Sequence, residues 1–105
     1  MREELLVDTG LEYVPGDRVV VRVVHREGRT SITDDGAAVE RAGRSPGWRD
    51  VAGRIEDELI VNVSRQGVVS LPVVACGPAE EEIVHRIGVA SLALCHDILD
   101  AQVFG

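Results

Sequence analysis

Lysine is absent: all 11 basic residues are arginine, set against 18 acids for a net charge of −7. A mean field of that sign repels phosphate backbones, so nucleic-acid binding would have to rest on a local cluster of arginines. The missing lysine also removes a common charge-stabilising partner from any metal-dependent nuclease chemistry, and it fits the codon bias of a GC-rich bacterial genome. Cysteine is scarce. Cys76 and Cys95 lie within apolar sequence and are too few for a secreted disulfide framework, which predicts buried free thiols. The N-terminus has no secretory apolar region, and the uncharged run from Gly67 to Ala79 holds two prolines and is too short to span a bilayer. The expectation is a cytoplasmic protein that is not membrane-embedded.

Linker-like stretches, internal repeats and low-complexity segments are also missing, so the chain reads as a single α+β domain over 1–105. With 45% hydrophobic and 28% charged residues and a mean hydropathy of +0.07, it has enough apolar material for a core.

Residues 18–26 form a β-branched run in which Arg18, Arg22 and Arg26 occupy even positions and Val19, Val21 and Val23 odd ones, the pattern of a strand with one wetter face. A two-residue loop at Glu27-Gly28 would pair Arg26 with Arg29, Val24 with Ser31, Val23 with Ile32 and Arg22 with Thr33. A slip of one residue would send Ile32 to the wet side. In a second hairpin, a three-residue loop, Arg65-Gln66-Gly67, with Gly67 left-handed, pairs Val63 with Val69, Val61 with Leu71 and Leu59 with Val73.

Acids at Glu3 and Glu4 suit the first turn of a short helix over Arg2 to Val7. Asp34 or Asp35 can cap another over Gly36 to Ala42, and Ser45-Pro46 restarts a helical turn with Trp48, Val51 and Ile55 on one side. A long helix from Pro78 to about Ala101 opens on Glu80 to Glu82 and carries an apolar seam at Ile83, Ile87, Leu94 and Ile98. Its stretch from Ile87 to Cys95 is uncharged all round, so its second side needs a cover. Either the N-terminal segment or a second copy meeting Ile87, Ala90, Ser91 and Leu94 would supply it. The fold expected is a five-stranded, mainly antiparallel sheet built from two hairpins, with a broken middle helix and the long C-terminal helix on one face.

The entry Gly16-Asp17-Arg18-Val19, the element Ile32-Thr33-Asp34-Asp35-Gly36 and the closing strand plus long helix resemble the prokaryotic domain-of-unknown-function family numbered 1828. That resemblance covers about Leu11 to Leu99 and implies no activity. The expected order of elements also resembles the secretion-chaperone type of fold, which implies a dimeric, non-catalytic binder of other proteins.

Asp17, Asp34 and Asp35 could hold a magnesium ion for phosphodiesterase or nuclease chemistry, but a helix cap and a strand-to-helix turn ending at Gly36 account for Asp34 and Asp35, and that structural reading is the one expected. His25, His85 and His96 have no structural-zinc spacing, and the last two lie about 16 Å apart on one helix. No nucleophile elbow or phosphate loop is present. The arginine stripe, Arg18, Arg22, Arg26 and Arg29, could receive carboxylates or phosphates, or could be a solvated face partly neutralised by the domain's own acids. Exposed valines beside it, Val20 and Val24, favour an interface. The reading is therefore a non-enzymatic protein-interaction module, homodimeric, with an unidentified protein partner and no catalytic residue, metal or cofactor assigned. The alternatives are an aspartate-based metal nuclease and a nucleic-acid binder working through the stripe.

Overall fold

In the computed structural model, residues 2–104 are described, in the order β1 (Arg2–Val14), β2 (Asp17–Arg26), β3 (Arg29–Thr33), α1 (Ala37–Ala42), α2 (Trp48–Leu59), β4 (Asn62–Val63), β5 (Val69–Val73) and α3 (Glu80–Phe104). The five strands form one antiparallel sheet in the order β1-β2-β3-β5-β4. The helices pack on one of its faces, α3 lying across the strands with α1 and α2 against it. This is the five-stranded α+β arrangement the sequence predicts, with a strand where the N-terminal helix was expected.

That strand replaces the helix expected over Arg2 to Val7. Locally, Glu3 and Glu4 suit a helix start, but the period-two alternation of Val7, Thr9, Leu11 and Tyr13 with Asp8, Gly10 and Glu12 is a strand pattern. Pro15-Gly16 then closes a tight turn between Val14 and Asp17, which returns β1 along β2 from Val14↔Asp17 to Arg2↔Arg26. Pairing along a ready-made strand outweighs a two-turn helix that could not stand alone in water. The register shifts between Asp8 and Glu12. There Thr9 Oγ1 donates to the Val19 carbonyl at 2.7 Å and the Asp8 carboxylate accepts the Gly10 N–H at 2.9 Å.

The hairpin of β2 and β3 has the expected register, from Arg26↔Arg29 to Arg22↔Thr33, and Glu27 and Gly28 are both left-handed, at φ 52° and 74°. In the second hairpin Val63 meets Val69 as expected. The Ser64 N–H donates to the Val68 carbonyl at 2.9 Å, closing the three-residue loop over Gly67 at φ 93°. The expected Val61–Leu71 and Leu59–Val73 pairs are not part of the ladder, because α2 runs on through Leu59 with its C-cap at Ile60, leaving only Asn62 and Val63 for β4. The middle helix is broken as expected, with its second half starting at Trp48 rather than at Pro46.

The core lies between sheet and helices. Val19, Val21, Val23 and Ile32 point into it from the strands, and Ile83, Ile87, Leu94 and Ile98 from α3. Trp48, Val51 and Ile55 of α2 are buried with them. Cys95 is buried, and burial pushes its thiol up, as expected of an inert packed cysteine. Cys76 departs from the expectation: it sits exposed in the β5–α3 connection, where no element covers the chain. No helix among the described residues is long and apolar enough to cross a membrane.

Candidate functional site

The three aspartates do not come together. Asp34 leaves β3 where the main chain turns toward α1, and its own N–H still donates to the Val69 carbonyl at 3.0 Å. Its side chain then replaces the carbonyl that the ladder has lost: Oδ1 accepts the Val69 N–H at 2.9 Å and the Gly36 N–H at 2.8 Å. Oδ2 accepts the Ser91 hydroxyl at 2.6 Å, and Ser91 Oγ lies 2.6 Å from the Tyr13 hydroxyl. A hydroxyl has one proton, and Ser91 directs it to the carboxylate, so Tyr13 donates to Ser91. This buried chain joins β1, the β3–α1 turn, β5 and α3. Burial is the main force on both of its ends, raising the Asp34 carboxyl above its usual range and the Tyr13 phenol above its own.

Asp35 faces the other way, toward solvent, and accepts from Arg22 Nε at 2.8 Å. Asp17 is clamped by Arg41, whose Nε and Nη2 reach its two oxygens at 2.7 and 2.9 Å while the guanidinium stacks over Tyr13, 4.4 Å from the ring centroid. The Arg41 hydrogen bond holds the Asp17 carboxyl below its usual range. The carboxylates of the proposed metal chemistry are thus committed to three separate partners, and no group of three metal-ligating side chains occurs among the described residues. Of the histidines, His96 donates from Nε2 to the Tyr13 carbonyl at 2.7 Å, which fixes its tautomer, since a carbonyl only accepts. His25 Nδ1 lies 2.8 Å from Thr30 Oγ1, and His85 is exposed on α3.

Ile87, Ala90, Ser91 and Leu94, the residues expected to meet a second copy, are fully buried by the chain's own elements. The N-terminal segment, as strand β1, supplies much of that cover, which is one of the two possibilities the sequence left open. Gly88 sits so close to it that a Cβ there would come within 2.9 Å of Thr9 Cγ2. Ser91 carried a signal of its own, a lone hydroxyl in line with Ile87, Leu94 and Ile98, where a core helix otherwise offers only apolar side chains.

The other face of the sheet carries no helix. Even-numbered residues of β2 point onto it, with Glu4, Leu6 and Asp8 of β1 on one side and Ser31, Thr33, Ser70 and Pro72 on the other. The arginine stripe lies here, and its members differ. Arg22 is held by Asp35 and by Glu4, at 2.8 and 3.1 Å, and Arg18 is 3.9 Å from Asp8. Arg26 and Arg29 face each other across the hairpin end, and neither reaches a carboxylate among the described residues. Leu6, 63% exposed, and Val20, 38% exposed, stand between the charges.

The chain matches no protein-family model, no curated protein and no solved structure. Its function is therefore to be read from these surfaces.

Proposed function

We propose that this chain is a non-enzymatic protein-interaction module that receives a protein partner on the open face of its sheet. The observation that carries the reading is the composition of that face, apolar side chains at Leu6, Val20 and Val24 interleaved with arginines and left uncovered by any helix of the chain. Arginine beside apolar contact area is the composition of interface centres, whereas a purely solvated face gains nothing from exposed leucine and valine. The buried Asp34–Ser91–Tyr13 chain fits a structural part in this reading, because a substrate has no path to a hydroxyl that is fully enclosed.

Self-association belongs to the same proposal. With Ile87, Ala90, Ser91 and Leu94 enclosed, a second copy would meet the open face or the free edge of β1, where Leu5 and Leu6 are exposed. The opposite edge is closed off: β4 is two residues long and Glu56 Oε1 accepts the Val63 N–H at 2.8 Å. The secretion-chaperone resemblance supports a binding role, although the first helix of that order is a strand here.

The test compares partners captured from a lysate of the source cells by the wild type and by Leu6→Glu/Val20→Glu, with Arg65→Gln as a control on the opposite side. Loss of the captured proteins in the double variant, with its circular dichroism unchanged, is expected. Retention of every one of them would remove the sheet face from consideration. Light scattering at micromolar concentration reports the dimer.

A further inference from the structure

Across the open face, charge is compensated at one end and left uncompensated at the other. Arg18 and Arg22 have acids of the same chain beside them, as does Arg41 at the sheet's rim. Among the described residues Arg26 and Arg29 have none, although they are directly opposed in the ladder and the chain carries 18 acids. Like charges placed opposite each other destabilise a strand pair. The one acid next to them in sequence, Glu27, lies in the turn and makes no ion pair with either, among the described residues. Arg26 and Arg29 line a groove of about 540 Å³ together with Val24, Ser31, Pro72 and the turn residue Glu27.

We propose that this groove receives a peptide segment of a partner protein bearing two carboxylates, one for each of Arg26 and Arg29. The inference rests on the sheet-face reading above and gives it a ligand chemistry. Guanidinium forks bind carboxylates bidentately. Val24 and Pro72 offer apolar contact to the peptide between its charges, and the Ser31 hydroxyl offers a hydrogen bond. The net charge of −7 selects for a short ligand with few charges over a polyanion, whose remaining phosphates would meet the acids of the rest of the surface.

The probe is a fluorescein-labelled peptide of alternating glutamate and valine, blocked at both ends, read by fluorescence anisotropy against the same peptide with glutamine for glutamate. The wild type should bind the glutamate peptide and bind the glutamine peptide at least about tenfold more weakly. Arg26→Gln and Arg29→Gln should each weaken the glutamate peptide by a similar factor, and Arg65→Gln, which removes the same charge elsewhere, should not. The glutamine peptide keeps the test decisive even if an arginine variant folds poorly. Equal binding of the two peptides, or no binding of either, overturns the inference. The sheet-face reading would still stand if Leu6→Glu/Val20→Glu abolished partner capture. A single-stranded DNA oligonucleotide that binds through Arg26 and Arg29 more tightly than the peptide, with a steep salt dependence, would overturn it in favour of nucleic acid.

Discussion

Asp34 and Asp35 are consecutive, yet one turns into the helical side of the sheet and the other onto its open side. On the helical side Asp34 accepts hydrogen bonds from Val69, Gly36 and Ser91 and is 2% exposed. On the open side Asp35 shares Arg22 with Glu4 in an ion pair that water reaches. The same side chain therefore has two energetic meanings. In the core every donor aimed at a carboxylate loses its only partner if that carboxylate goes, whereas at the surface water replaces the lost partner.

The contrast is broken most directly at Asp34. Asp34→Ala should cost about 3 kcal/mol or more in urea unfolding, because the Val69 and Gly36 N–H groups and the Ser91 hydroxyl are left unpaired in the core. Asp35→Asn should cost under about 1 kcal/mol. Equal losses at the two positions would sink the distinction between the faces.

Next in size is Gly67→Ala. The turn holds Gly67 at φ 93°, and an added Cβ would lie 2.4 Å from Val39 Cγ2 of α1. Strain and overlap together should cost about 2 kcal/mol. Combining it with Val39→Ala separates most of the overlap from the strain: the variant removes both Val39 methyl groups and leaves Cβ at 2.9 Å, so a positive coupling is expected and strict additivity would show that the methyl overlap costs nothing.

A pH series sharpens the comparison further. Burial raises the Asp34 carboxyl above its ordinary 3.8, so between 3.8 and that raised value the folded state holds a proton the unfolded state has lost. Its contribution to stability falls as pH climbs through this window and recovers as pH is lowered. Asp34→Asn keeps the shape without the titration. The difference in unfolding free energy between wild type and Asp34→Asn should shift in favour of the wild type as pH is lowered from neutral toward 3.8, and a constant difference would contradict the shift. Asp17 works in the opposite sense, since Arg41 lowers its carboxyl and the associated stability is lost on acidification.

The smallest effect is expected on the open face. Arg29→Gln removes one of two opposed charges and should leave thermal stability unchanged or raise it by up to about 0.5 kcal/mol. A clear destabilisation would show that Arg29 has a partner within the chain.

Period and turn chemistry in the sequence determined both hairpin registers. Val19, Val21, Val23 and Ile32 can share one face only if Glu27-Gly28 forms the loop, and Val63 meets Val69 only across three loop residues. The seam of α3 was legible for the same reason, since a helix buries whatever recurs at its own period. The N-terminal strand was half legible. Its alternation is visible from Val7 to Tyr13, but acids at Glu3 and Glu4 favour a local helix, and only pairing with β2 decides between the two. The cover of α3 followed from that strand, so the N-terminal segment shields the helix as a strand running beside it and not as the short helix expected. The buried Asp34–Ser91–Tyr13 chain belongs wholly to the tertiary structure. Its members are up to 78 residues apart, and local sequence carries no information about which distant hydroxyl will satisfy a carboxylate once water has been excluded. Likewise the sequence placed four arginines on one face, but the acids that neutralise Arg22, and among the described residues reach neither Arg26 nor Arg29, come from β1 and the turn before α1, which only the closed sheet brings alongside.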